Sequence, residues 1–64
     1  MYRVYNAGWQ GMNAEDIGRI VPNGEYNNYE DAIAEFNRTV EEDAASDEAV
    51  YLFKDKELIE VWNG

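Results

Sequence analysis

A small α+β fold follows from three features of this chain: an apolar stripe at helical spacing, two strand-like runs joined by a tight turn, and a short alternating run near the first residue. Together they predict the order β-α-β-β, a three-stranded, antiparallel-rich sheet packed on one main helix. At 64 residues the chain has room for one domain, 1–64, with a small core.

The opening run, "YRVYN", sets Tyr2 and Val4 on one side and Arg3 and Tyr5 on the other. This strand is expected to pair with one of the two later ones, because an isolated hairpin is marginal and three strands with a helix make a minimal core. Residues 7–27 carry a weaker pattern. Asn13 can cap a short helical turn with Asp16 at the third position, and Met12 and Ile17 stand at the spacing of a hydrophobic staple. Gly18 weakens such a turn and "VPNG" ends it. A strand over "GRIV" is the competing reading, so 13–21 is expected to be a short helix or a strand.

The main helix is placed at Tyr29 to Asp43. Asn28 sits at its N-cap with Asp31 three residues later, and Tyr29, Ile33, Phe36 and Val40 recur along one face. Glu30, Asp31, Glu35, Arg38, Glu41 and Glu42 occupy the opposite side. Acids in the first turn suit the helix dipole, whereas Glu41, Glu42 and Asp43 in the last turn oppose it.

"AVYLFKDKELIEVW" reads as two strands around a turn at Asp55-Lys56. The two-residue turn predicts the pairs Lys54 with Glu57, Phe53 with Leu58, Leu52 with Ile59, Tyr51 with Glu60, Val50 with Val61 and Ala49 with Trp62. Val50, Leu52, Ile59 and Val61 then form an aliphatic face suited to the helix. Tyr51, Phe53, Leu58, Glu60 and Trp62 form a second, aromatic face. Either segment 8–21, with Trp9, Met12, Ile17, Ile20 and Val21, folds over that second face, or Tyr51, Phe53 and Trp62 stay open as a binding or dimer surface.

Composition narrows the chemistry. The chain has no Cys and no His, which removes disulfides, the usual zinc sites, Cys nucleophiles and His-based triads. Ser46 and Thr39 have no adjacent base, and Gly8, Gly11 and Gly18 form no phosphate-cradling motif. "EEDAASDE" lacks the ligand spacing of an EF-hand. No catalytic, cofactor-binding or metal site is expected, and the chain is read as a non-enzyme. It has no long apolar run and no signal-peptide pattern, so a cytoplasmic protein without membrane contact is expected.

Charge is the outlying property: 14 acidic against 5 basic residues, a net −9. Hydrophobic residues at 45% and aromatic residues at 14% argue that such a chain nonetheless folds. Five carboxylates fall within the eight positions 41–48, so the excess is clustered. Like charges at this density oppose the compact state, and electrostatics direct the surface toward a basic partner and away from nucleic acid itself. Residues three and four apart on a helix lie about 5–6 Å from each other, close to the spacing of successive phosphates. Asp31, Glu35, Glu41, Glu42, Asp43, Asp47 and Glu48 are therefore the expected partner-binding row, a stand-in for phosphates. Solvated residues that keep a small domain soluble are the plainer account of the same acids.

In size, acidity, lack of Cys and compact α+β layout, the chain resembles the small phage and mobile-element proteins that block host defence nucleases, anti-CRISPR proteins and antirestriction DNA mimics. The resemblance is one of type and rests on no sequence motif. It implies a non-catalytic inhibitor that binds a basic nucleic-acid-binding surface, such as the site of a CRISPR-Cas effector subunit that reads the PAM or holds the target duplex. The acidic row would be the contact surface. The chain departs from the most acidic mimics in its five basic residues and its aromatic content, which leaves room for an aromatic anchor at Tyr51, Phe53 and Trp62. The rival class is a homodimerising structural or adaptor protein that uses the aromatic face of the hairpin, so monomer and homodimer both stand.

Overall fold

The structure, a computed structural model, describes residues 1–8, 11–43 and 48–63, with the side chain of Asp43 excepted. Four strands form one antiparallel sheet: β1 (Tyr2–Ala7), β2 (Gly24–Tyr26), β3 (Ala49–Lys54) and β4 (Glu57–Asn63). Their order is β2-β1-β3-β4. One helix, α1 (Tyr29–Arg38), is continued by a π-helical turn, Thr39–Asp43. The α+β class, the main helix and three of the strands match the sequence expectation.

Strand β1 takes the centre because both of its edges find partners. Val4 stands opposite Leu52 of β3 on one side and Gly24 of β2 on the other. Strands β2 and β3 both run antiparallel to β1, hence parallel to each other, and α1 carries the chain between them while packing on all three. The fourth strand is the addition to the expected sheet. It follows Pro22, is started by the Asn23 amide donating to the Val4 carbonyl at 2.7 Å, and is held by an Arg3–Glu25 ion pair at 2.6 Å across the ladder. Three residues with a central charge give too little alternation to read as a strand beforehand.

Segment 13–21 resolves toward the helical reading. A 3-10 turn at Ala14–Asp16 carries a full capping box: the Asn13 side chain accepts from the Glu15 amide at 2.9 Å, and Asp16 accepts from the Asn13 amide at 3.0 Å. "GRIV" forms no strand.

Two apolar layers sandwich the sheet. Val4, Val50 and Leu52 meet Ala32 and Phe36 of α1. On the other face Tyr5, Ala7, Ala49, Tyr51 and Phe53 meet Met12, with Ile17 and Ile20 packed against them. Tyr5 and Phe53 contact edge to face at 5.8 Å, and the Tyr51 hydroxyl accepts from the Met12 amide at 3.4 Å. The covered-face reading therefore holds for Tyr51 and Phe53, each 1% exposed. Trp9, expected in the same layer, lies outside the described residues. Because β3 is buried on both faces, its sequence AVYLF is a continuous apolar run rather than an alternating one.

The hairpin register departs from expectation at one residue. Lys54–Glu57 and Phe53–Leu58 pair as predicted, but Leu52 faces Glu60, Tyr51 faces Val61 and Val50 faces Trp62, leaving Ile59 as a β-bulge. Every later side chain of β4 changes face. Trp62 joins Ile59 against the helix-side core, and Val61 moves to the side of Tyr51 and Phe53. The physical reason is burial: Met12, Ile17 and Ile20 cover the central strands and not β4, so the larger apolar area of Trp62 is buried on the helix side and the smaller Val61 is left on the uncovered side. Tyr51, Phe53 and Trp62 thus share no common face, and the expected aromatic anchor is divided between two core layers.

Candidate functional site

The candidate surface is the outer side of α1 and of the turn that follows it. The helix starts at Asn28, whose side-chain oxygen accepts from the Asp31 amide at 2.9 Å while its amide nitrogen donates to the Asp31 carboxylate at 3.1 Å. Asp31 is thereby held at the positive end of the helix dipole. Ala32, Phe36 and Thr39 point inward. Glu30, Asp31, Ala34, Asn37, Arg38, Glu41 and Glu42 are left exposed.

Glu35 departs from the display role expected of it. Its side chain is only 15% exposed and lies at the hub of a polar cluster. Arg38 donates to it through Nε at 3.0 Å and through a second, shorter bond from Nη2, and the Thr39 hydroxyl donates at 3.1 Å. The Tyr26 side chain, on the neighbouring strand β2, lies near enough to interact with the same carboxylate. These bonds, the Arg38 one foremost, hold the Glu35 carboxyl below the ordinary carboxylate range. Tyr26 is pushed the other way, chiefly by burial and then by the Glu35 charge. Thr39 is fully buried, and Glu35 satisfies its hydroxyl. Tyr26 and Thr39 are members of the site that sequence reasoning missed. Thr39 was readable in principle, four residues beyond Glu35 on the buried side of the helix. Tyr26 was not, because a strand delivers it.

Arg38 links Glu35 to Glu42, whose carboxylate lies 3.9 Å from Nη1. The contiguous unit is therefore Glu35–Arg38–Glu42, an acid-base-acid stripe with one net negative charge. Glu30 and Glu41 add exposed charges beside it. Glu48 is half-buried at the start of β3. Asp47 and the side chain of Asp43 lie outside the described residues.

Three of the four remaining basic residues are also engaged. Arg3 pairs with Glu25, a bond that raises the Arg3 pKa further, and Arg19 lies 3.8 Å from Asp16. Lys54 sits over the Tyr2 ring at 5.8 Å. With each arginine committed to a carboxylate of its own chain, the surplus of acid stays at the surface. Among the described residues no three carboxylates gather as a metal-holding group, and no helix is long and apolar enough to cross a membrane. No protein-family model, no curated protein and no solved structure matches this chain.

Proposed function

We propose that this chain is a non-catalytic binding protein whose acidic helix face engages a basic, nucleic-acid-binding surface of another protein. The class resemblance points to a host defence nuclease, a CRISPR-Cas effector subunit at its PAM or DNA site, as that partner. The observation that carries this reading is the internal pairing of all three arginines, on Glu25, Asp16 and Glu35. Of the exposed carboxylates, Glu30, Asp31, Glu41 and Glu42 lie along a helix and turn spanning about 15–18 Å, with Arg38 already paired among them.

A rigid acidic ridge of that length offers a channel lined by Lys and Arg several charges at fixed spacing. Its backbone is already ordered, so little conformational entropy is lost on binding. Glu35 acts within this ridge as a positioning residue: it holds Arg38, which in turn steadies Glu42. A symmetric dimer through the aromatic face gains no support, since Met12, Ile17 and Ile20 already cover Tyr51 and Phe53.

The deciding experiment is competition. Purified effector complexes carrying guide RNA are titrated with this protein in the presence of labelled PAM-bearing duplex, at salt from about 50 to 200 mM. Displacement of DNA that weakens steeply with salt, and by at least about tenfold in the Glu41→Lys, Glu42→Lys double variant, is the expected result. Binding that is indifferent to both salt and charge reversal overturns the reading.

A further inference from the structure

The sheet has two edges, and they are not alike. Strand β2 is three residues long and follows Pro22, a short edge that offers little to pair with. Strand β4 is seven residues long, and among the described residues nothing pairs with its outer side. Along that side alternate backbone N–H and C=O groups face outward.

The side chains of this edge are distinctive. Leu58 and Val61, opposite Phe53 and Tyr51, are 40% and 46% exposed, because Met12, Ile17 and Ile20 cover the central strands and stop short of β4. They form an apolar shelf beside the open backbone. On the opposite face stand Glu57, exposed, and Glu60, half-buried. Facing residues in the register place both of these acids on the helix side, away from the shelf.

We propose that β4 is a docking edge that takes an extended, Lys/Arg-containing segment of a partner protein as a fifth strand. This rests on the reading of a basic partner given above and names how a part of that partner is held. Main-chain bonds to β4 supply the attachment, Leu58 and Val61 receive apolar side chains on one face, and Glu57 and Glu60 meet cationic side chains on the other. A second copy of this chain fits less well. Full antiparallel overlap of two β4 strands sets Glu60 against Glu60 between two chains of net −9. It also sets Leu58 against Trp62, which the bulge at Ile59 has turned to opposite faces of the sheet. The bulge and the two glutamates therefore guard this edge against acidic strands and its own kind while leaving it open to a basic one.

The test uses isotope-labelled full-length protein and three capped synthetic peptides, Ac-(Lys-Val)5-NH2, Ac-(Lys-Pro)5-NH2 and Ac-(Glu-Val)5-NH2, followed by amide chemical shifts and hydrogen exchange. The Lys-Val peptide should slow exchange of the β4 amides by at least about tenfold. The Lys-Pro peptide, equally charged but unable to form a ladder, and the Glu-Val peptide should leave them unchanged. Replacing Glu57 and Glu60 with Gln should weaken the Lys-Val complex by about fivefold or more. If both lysine peptides bind alike and shift only α1, the docking edge is refuted while the acidic-face reading stands. Failure of the Lys-Val peptide to protect β4, or equal protection by the Glu-Val peptide, also overturns the docking edge, whatever the effector competition shows.

Discussion

The ring of Tyr26 lies over the α-carbon of Gly24: a methyl group built there would stand 2.4 Å from the Tyr26 hydroxyl oxygen and 2.8 Å from two of its ring carbons. The two residues share a face of β2, and the missing side chain at position 24 is the space that lets Tyr26 reach Glu35. Gly24→Ala must push the ring aside, and overpacking of this kind costs about 1–3 kcal/mol. A lowered thermal midpoint is expected. The Tyr26 hydroxyl should also titrate closer to an ordinary tyrosine as it leaves Glu35, which spectrophotometric titration would detect.

Acid unfolding should report the Glu35 cluster. The folded-state pKa of Glu35 is lowered, mainly by the hydrogen bonds from Arg38. Its contribution is therefore present above the unfolded carboxyl value near 4.3 and is lost as pH falls through the lower folded value. Glu35→Gln should be less stable by about 1 kcal/mol at neutral pH, and the difference from the parent should shrink as acid protonates Glu35. A gap in denaturant midpoint that stays constant from pH 7 down to pH 3 would contradict this.

The bulge at Ile59 makes neighbouring residues of β4 unequal. Trp62 packs on the helix-side core, whereas Val61 is exposed. Trp62→Ala should lower stability by about 2–4 kcal/mol and Val61→Ala by less than about 0.5 kcal/mol. Under the unbulged pairing the order would move toward the reverse, so a pair of urea titrations discriminates.

The acids at the end of the helix are expected to be dispensable for folding. Glu41 is exposed near the negative end of the dipole. Glu41→Gln should leave the melting temperature unchanged or raise it, most visibly at low salt. A clear loss of stability would give Glu41 a structural partner and remove it from the display surface.

How much of this was legible beforehand depends on whether each feature is local. The cap at Asn28, the stripe through Ile33 and Phe36, the capping box at Asn13 and the turn at Asp55-Lys56 each lie within a few residues, and pattern reasoning places them. Asp55 adopts the left-handed φ of 55° that the first turn position requires, which Asp tolerates. The bulge at Ile59 was not legible, because it is decided by how far the apolar cover on each side of the sheet extends over β4. Strand β2 was not, since three residues have no period to detect. The inward turn of Glu35 was hidden for a similar reason: its partner Tyr26 comes from another element, and a helical wheel sees only its own residues.

The central position of β1 has a kinetic consequence. Its ladder to β3 joins Tyr2 to Lys54 and Ala7 to Ala49, so the two strands that carry most of the core meet only after a loop of some forty residues has closed. The helix and the β3–β4 hairpin are local, form quickly and can pack on each other, yet the core is incomplete until β1 arrives. Closure entropy for that one pairing, rather than the formation of any single element, should set the folding rate.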